Sequence, residues 1–229
     1  MFPEYPVTSV TSGGGPTRWP SRSDRTLVAM SSERQGLGIL GGTFDPPHIG
    51  HLAAAVEVRS ALDLDEVLLM VANEPWQKVG RRPLSAAGDR LAMTQRAVLG
   101  FNRISASDLE IRRGGTTYTI DTLEQLCADA PDRPLFLVVG ADAAAELHTW
   151  HRHEELSALA TLVIVERNGE PCQDPTGDWR IERVAMPRLD ISSSELRDRA
   201  RLQGDLAPYV PFGVIDEIRN RGLYGLAES

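Results

Sequence analysis

The sequence predicts an α/β fold with one open, parallel β-sheet that is covered by helices on both faces. Two continuous apolar runs, at 67–71 and 135–139, have the composition of strands that are buried on both sides. Segments with helical spacing alternate with such runs along the chain, a pattern typical of right-handed βαβ units. Neither an internal repeat nor a second domain is apparent.

The elements follow in order from about residue 36. A short strand at 37–40 ends in Gly41-Gly42, and residues 51–62 have the spacing of an amphipathic helix. A helix is expected at 85–99 with Ser85 as its N-cap, one or two strands at 104–111, and a helix at 119–129. The remaining predicted elements are helical segments across 142–159, strands at 162–165 and 181–184, a loop at 168–180, and helices at 192–203 and 211–221.

Residues 1–34 differ in composition from the rest of the chain. They are rich in Ser, Thr, Gly, Pro and Arg and show no apolar period, so they are predicted to be a disordered tail before a domain at 35–229. An alternative is that translation starts at Met30.

Composition excludes several classes of function. A net charge of −8 and a pI near 5.2 argue against a broad basic surface for nucleic acid. Two cysteines, Cys127 and Cys172, give neither a disulfide framework nor a metal-ligand cluster. No apolar run of about 18 residues and no signal-peptide pattern occurs. We therefore expect a cytoplasmic protein without a membrane partner.

The turn after the first strand carries the strongest chemical signal. Gly41-Gly42 lets the backbone approach a ligand closely, and Pro46-Pro47 leads into a helix start. His48 and His51 are three residues apart, so both imidazoles lie on one side of a helix N-terminus that favours anions. Two unrelated surface or core histidines are the plainer interpretation, and a metal pair lacks an evident third ligand. The turn predicts phosphate binding.

A second signal lies near the C-terminus of the chain. Ser192 and Glu195 have the spacing of a capping box, which alone would explain the serine. The capping box does not explain Arg197, and further hydroxyls beside an arginine at a helix start suit a polyphosphate.

Other candidates are weaker when each is considered alone. The Gly114–Gly115 turn before Thr117-Tyr118-Thr119 is also what a simple loop-to-helix junction would contain. Trp150 could equally be a tryptophan that packs in the hydrophobic core. Gly140 and Asp142 end a buried strand, where ligands of open α/β sheets bind. Lys78 is the single lysine among 24 basic residues, so its ammonium group is a candidate for a specific role.

Together these motifs resemble the nucleotidylyltransferases with an H-x-G-H signature, which here is His48-Ile49-Gly50-His51. Over 36–224 the chain looks like bacterial nicotinate-nucleotide adenylyltransferases, which implies a Rossmann-like nucleotidylyltransferase fold and the synthesis of deamido-NAD from ATP and nicotinate mononucleotide. The resemblance implies a catalytic set of His48, His51, Lys78 and Arg197. It implies ATP binding by Gly41, Gly42, Thr43, Phe44, His48, His51, Gly140, Asp142, Ile191, Ser192, Ser193 and Arg197. It implies acceptor binding by Asp45, Asn73, Lys78, Thr117, Tyr118, Thr119 and Trp150.

The sequence departs from the family pattern at two places. Ser194 stands where these enzymes usually have Thr, which keeps the hydroxyl group. Trp76-Gln77 replaces the usual Pro-His before Lys78, so the shape of that loop is open.

The implied reaction needs no protein nucleophile, because the acceptor phosphate attacks the α-phosphorus directly. Mg²⁺ is expected to arrive with ATP, held mainly by phosphates and water. The resemblance also allows a homodimer. Alternatives are a pantetheine-phosphate adenylyltransferase, whose chains are shorter and lack the Thr-Tyr-Thr and Trp150 elements, and a non-catalytic nucleotide sensor. A class I aminoacyl-tRNA synthetase would also need a lysine-rich second signature, and this chain has a single lysine.

Overall fold

The computed structural model describes residues 36–75, 84–167 and 173–226, and six of their strands form one parallel sheet. The predicted tail, Lys78 and Cys172 lie outside the described residues. The strands are β1 (Leu37–Gly42), β2 (Glu66–Val71), β3 (Glu74–Pro75), β4 (Ile104–Ser107), β5 (Thr116–Thr117), β6 (Leu135–Gly140), β7 (Thr161–Arg167) and β8 (Ile181–Met186). The helices are α1 (Ile49–Ala61), α2 (Ala87–Val98), α3 (Leu109–Arg113), α4 (Thr119–Asp129), α5 (Ala141–Ala145), α6 (His153–Leu159), α7 (Ser193–Arg201) and α8 (Phe212–Asn220). Short 3₁₀ helices cover Leu147–Thr149 and Leu223–Gly225.

The main sheet has the order β4-β2-β1-β6-β7-β8, and all its pairings are parallel. The chain builds outward from β1 through β2 to β4, and then returns to the other side of β1 with β6. The strand order therefore reverses between β1 and β6, where ligands of open α/β sheets bind. β3 and β5 form a separate two-stranded sheet.

Hydrophobic residues pack on both faces of this sheet, which confirms the predicted fold class. Along β1, Leu37 and Ile39 join one buried cluster, and Leu40 joins the other. The period of two follows from side chains that alternate across a strand. The first cluster includes Leu123 of α4, and the second includes Val58 of α1. Helices thus cover both faces.

Two local predictions were wrong. Ser85 is not the N-cap of α2, because the helix begins at Ala87 after Ala86, and the Ser85 backbone binds Arg90 and Asp45. Residues 109–111 are not a strand. β4 ends at Ser107 where its pairing with β2 ends, and the Ser107 hydroxyl accepts the Leu109 N–H at the start of α3.

Within the described part of the chain, no helix is both long enough and apolar enough to cross a membrane.

Candidate active site

His48 and His51 lie together at the start of α1. His48 is the N-cap, and its Nδ1 accepts the Gly50 N–H at 3.2 Å. The His48 N–H donates to Nδ1 of His51, also at 3.2 Å, which completes a capping box made of two imidazoles. The ring centroids are 3.8 Å apart. The predicted proximity of the two rings is confirmed.

These hydrogen bonds fix the tautomer of each neutral ring. A ring nitrogen that accepts a backbone N–H carries no proton, so the proton of each neutral imidazole is on Nε2. Both side chains line a cavity of about 490 Å³. The side-chain donor of each neutral ring is thus its Nε2–H group.

Close contacts favour glycine at two positions of this turn. A Cβ on Gly42 would come within 2.8 Å of the Phe44 ring, and a Cβ on Gly50 within 3.0 Å of the His48 ring. Phe44 is 1% exposed and packs edge-on against His51 at 5.0 Å between centroids. Phe44 therefore shapes the turn from the core side instead of lining the cavity.

The larger cavity is bounded by the turn after β1, the end of β6 and the start of α7. It brings together most of the residues predicted to bind ATP. These are Gly42, Thr43, His48, His51, Gly140, Asp142, Ile191, Ser192 and Ser193. Three segments far apart in sequence thus converge where the strand order reverses.

The start of α7 has the predicted capping box. The Ser192 hydroxyl accepts the Glu195 N–H at 3.2 Å, and the Glu195 carboxylate accepts the Ser192 N–H at 3.0 Å. The Ser193 hydroxyl donates to Pro46 O at 2.9 Å, so α7 is joined to the turn after β1. Ser192 therefore both caps α7 and lines the larger cavity.

Arg197 and Asp45 lie beneath the turn and line neither of the two cavities described here. Arg197 is 3% exposed, and it donates to Asp45 O and, at 3.0 Å, to the Ser194 hydroxyl. The Asp45 carboxylate is 3.9 Å from this guanidinium and accepts the Tyr224 hydroxyl at 2.6 Å. The roles predicted for Arg197 at the triphosphate and for Asp45 at the acceptor stay predictions.

A smaller cavity of about 280 Å³ contains much of the predicted acceptor site. Thr117, Thr119 and Trp150 line it, together with Gly41. The Trp150 Nε1 atom is buried without a hydrogen-bond partner among the described residues. A pocket with an indole wall and hydroxyl groups suits a flat heterocycle that has polar substituents.

The two cavities share a wall. Leu40, Gly42, Thr43 and Gly140 line both of them. These residues come from the carboxyl ends of β1 and β6, which are neighbours in the sheet. Two ligands that fill the cavities would therefore meet at the turn that carries the histidines.

Asn73 and Tyr118, which were also predicted to bind the acceptor, do not line the smaller cavity. Asn73 donates its N–H to the Thr117 hydroxyl at 3.0 Å and its side-chain amide to Gly115 O at 2.9 Å. The Tyr118 ring lies 4.4 Å from that of His151. Lys78 lies outside the described residues, so its role stays a prediction.

Sequence reasoning missed Glu110, which lines the smaller cavity and is 5% exposed. Burial raises the pKa of its carboxyl group, although the hydrogen bond from the Thr122 hydroxyl at 2.6 Å opposes this shift. Arg113 donates to the same hydroxyl at 2.9 Å. A single charged residue between Leu109 and Ile111 gave no signal for this placement.

Sequence reasoning also missed Arg90, which is 1% exposed. The sequence did contain a pattern that could have indicated Arg90. Together with Met93, Thr94 and Ala97 it forms the buried face of α2, at positions i, i+3, i+4 and i+7. An arginine on the apolar stripe of a helix indicates a buried guanidinium with specific partners.

Among the described residues there is no group of three or more His, Cys, Asp or Glu side chains that could hold a metal ion. The carboxylate lining the larger cavity is that of Asp142.

Comparisons with known proteins agree on one family. The family described as cytidylyltransferase-like matches residues 39–199. A probable nicotinate-nucleotide adenylyltransferase of Frankia casuarinae is 46% identical over 189 residues, which are 81% of this chain and 98% of the relative. The Streptomyces coelicolor protein of the same name is also 46% identical, with the same coverage.

Solved structures share the fold. The nicotinic acid mononucleotide adenylyltransferase of Plasmodium falciparum, in complex with NaAD, superimposes with a TM-score of 0.70. That match covers 85% of this chain and 100% of the other chain at 20% identity, so it establishes the fold alone.

Proposed function

The chain belongs to the cytidylyltransferase-like family and, within it, to the nicotinate-nucleotide adenylyltransferases, and from this membership we propose how its two cavities divide the reaction. The protein is an enzyme that transfers the adenylyl group of ATP to nicotinate mononucleotide. The products are deamido-NAD and pyrophosphate, which places the enzyme in NAD biosynthesis.

The wall shared by the two cavities is the observation that supports one substrate in each cavity. Reaction requires that a phosphate oxygen of the acceptor bonds to the α-phosphorus of ATP while the bond from that phosphorus to the β-phosphate oxygen breaks. Both substrates must therefore be bound side by side, with their phosphates in contact. Thr43 and Gly42 line both cavities, and His48 lines the larger one with them, so we assign the α-phosphorus to this wall.

ATP occupies the larger cavity in this proposal. His48 donates from Nε2 to the α-phosphate, whose negative charge grows as the bond forms, and His51 supports the triphosphate. Ser192 and Ser193 line this cavity at the N-terminal end of α7, where the backbone N–H groups and the dipole of the helix favour the leaving pyrophosphate.

Nicotinate mononucleotide occupies the smaller cavity, with its ring on the Trp150 indole. No Arg, Lys or His is found among the described residues that line this cavity. In this proposal, backbone N–H groups and hydroxyls around Thr117–Thr119 recognise the carboxylate of nicotinate. Such donors discriminate the acid from the amide, because both oxygens of a carboxylate accept hydrogen bonds whereas the NH₂ group of an amide donates them.

Mg²⁺ enters this proposal as part of the ATP complex. In this proposal the ion is held mainly by phosphate oxygens and water, and Asp142, which lines the larger cavity, is a nearby protein carboxylate. Bound there, Mg²⁺ supplies charge neutralisation on the phosphates.

The test is pyrophosphate release by the full chain from ATP, with nicotinate mononucleotide, its amide or 4′-phosphopantetheine as acceptor. Mass spectrometry identifies the dinucleotide, and reactions that lack either substrate are the controls. We expect release that depends on nicotinate mononucleotide and a higher kcat/KM for the acid than for the amide. Equal values for acid and amide would refute the acceptor assignment. Binding of ATP without release in any mixture would indicate a sensor.

A further inference from the structure

Arg90 is a buried cation in the first turn of α2. The structure gives its side chain a defined set of partners, all of them backbone carbonyl groups. Nε donates to Ser85 O at 3.0 Å, and one terminal nitrogen donates to Asn73 O at 2.8 Å. The other terminal nitrogen donates to Thr43 O at 3.0 Å and to Ala72 O at 2.6 Å.

Burial lowers the pKa of this guanidinium, opposed by the charge of Asp45. A buried ion is unfavourable unless hydrogen bonds replace its hydration, and four carbonyl groups do so here. A planar guanidinium can hold several acceptors at fixed mutual angles, whereas an ammonium group is a compact point charge.

Two of the four carbonyl groups belong to residues that line the cavities. Thr43 follows β1 and lines the larger and the smaller cavity, and Ala72 follows β2 and lines the smaller one. The Ala72 N–H also donates to Gly42 O at 3.0 Å. Arg90 therefore joins the turn that carries the histidines to the strand end beside it.

The same guanidinium is connected to the acceptor end. Asn73, whose carbonyl group Arg90 binds, donates its N–H to the hydroxyl of Thr117, a residue of β5 that lines the smaller cavity. One side chain thus links the phosphate turn to the segment assigned to the nicotinate ring.

We infer that Arg90 is a positioning residue for adenylyl transfer, which fixes the shared wall so that the acceptor phosphate lies in line with the α-phosphorus of ATP. This inference rests on the proposed function. Misplacement by about 1 Å lowers such a reaction about 10²-fold, because in-line displacement depends steeply on geometry. The substrates still bind through the separate surfaces of each cavity, so kcat falls while the KM values change little.

The test compares Arg90→Lys and Arg90→Gln with Arg96→Lys in the full chain. Arg96 lies on the same helix, is largely exposed and pairs with Glu217 at 2.9 Å, so it is the matched control. Steady-state kinetics with both substrates are measured at a temperature where circular dichroism shows each variant to be folded.

For both Arg90 variants we expect kcat to fall about 10²-fold, with each KM within about threefold of the unchanged protein. Arg96→Lys keeps its kcat. A kcat within about threefold of the unchanged protein in either folded Arg90 variant overturns the inference, as does a loss confined to KM. If neither variant folds, Arg90 serves the stability of the domain alone and the inference is likewise overturned. Failure of the proposed function would be seen separately, as an unchanged protein that makes no deamido-NAD.

Discussion

The backbone N–H of His48 donates to Nδ1 of His51, and the two imidazole rings lie 3.8 Å apart. Each Nδ1 is occupied by a backbone donor, so the rings are held by the helix start itself. Local backbone bonding therefore orients the groups that the proposed reaction requires. A capping box usually combines a hydroxyl with a carboxylate, and here imidazoles replace both.

His48→Ala is expected to lower kcat about 10²- to 10³-fold, the scale of losing one donor to a developing oxyanion. Loss of the cap also destabilises α1 by about 0.5–2 kcal/mol, so the assay must be run well below the melting temperature. Pyrophosphate release at saturating substrates is the measurement. His148→Ala is the control, because His148 is exposed and binds Ala145 O. Near-normal turnover of His48→Ala would refute its assignment.

Trp150→Leu is expected to raise the KM for nicotinate mononucleotide by about 5- to 150-fold, because base stacking on an aromatic side chain contributes about 1–3 kcal/mol. The KM for ATP should change little, since Trp150 lines the smaller cavity and not the larger one. Steady-state kinetics with each substrate varied in turn give both values.

Trp179→Leu is the control for this prediction. Both indoles pack against the same buried cluster, but Trp179 lines a separate hollow beside His153. Both variants should therefore lose similar packing. An equal rise in the two KM values for Trp150→Leu would contradict the division of the substrates between the cavities.

Glu110→Gln is expected to change how stability depends on pH. Burial raises the pKa of Glu110 above its ordinary value of 4.5, so between these two values the folded protein keeps a proton that the unfolded chain has released. The free energy of unfolding therefore falls as pH rises through this window, and the penalty is fully present above the raised pKa. Gln carries no such charge and can still accept from Thr122.

Urea unfolding at a series of pH values from about 4.5 upward measures this effect. The free energy of unfolding of Glu110→Gln, relative to that of the unchanged protein, should increase with pH. Glu182→Gln is the control, because Glu182 is exposed on β8. Parallel curves for Glu110→Gln and the unchanged protein would show that folding does not perturb this carboxyl group.

The sequence predicted the parts of the protein that depend on neighbouring residues. The buried strands follow from apolar runs, and the capping box of α7 follows from the spacing of three between Ser192 and Glu195. The same spacing predicted that His48 and His51 lie on one side of a helix start, although not that they form a capping box there. Such patterns are visible because the interacting groups are one helical turn apart.

Long-range contacts were beyond this reasoning. The guanidinium of Arg90 binds Thr43 O across 47 positions and Ala72 O across 18, and nothing in the local sequence names those carbonyl groups. Glu110 reaches a cavity because 109–113 is helical, whereas the sequence had predicted one or two strands across 104–111. The sequence can predict which face of a helix is buried, but the residues that this face contacts depend on how the sheet is assembled.

Tyr224→Phe is expected to destabilise the protein by about 1–3 kcal/mol, because it removes one donor from a buried carboxylate. The Tyr224 hydroxyl donates to Asp45 at 2.6 Å, and Asp45 is 1% exposed. Burial and the Asp45 charge raise the pKa of Tyr224, so the hydroxyl keeps its proton and remains a donor at neutral pH. The Ser85 N–H makes only a long hydrogen bond of 3.5 Å to this carboxylate, and the Arg197 guanidinium is 3.9 Å away, so neither contact equals the one that is lost.

Urea unfolding of Tyr224→Phe at neutral pH gives this free energy directly, as a lower midpoint with an unchanged slope. Tyr209→Phe is the matched control, since the Tyr209 ring lies 5.2 Å from the Arg199 guanidinium and Phe keeps that ring contact. A midpoint for Tyr224→Phe equal to that of Tyr209→Phe would mean that Asp45 is satisfied without the hydroxyl. The larger shift is expected because the carboxylate lies beneath the turn, where water cannot replace the lost donor.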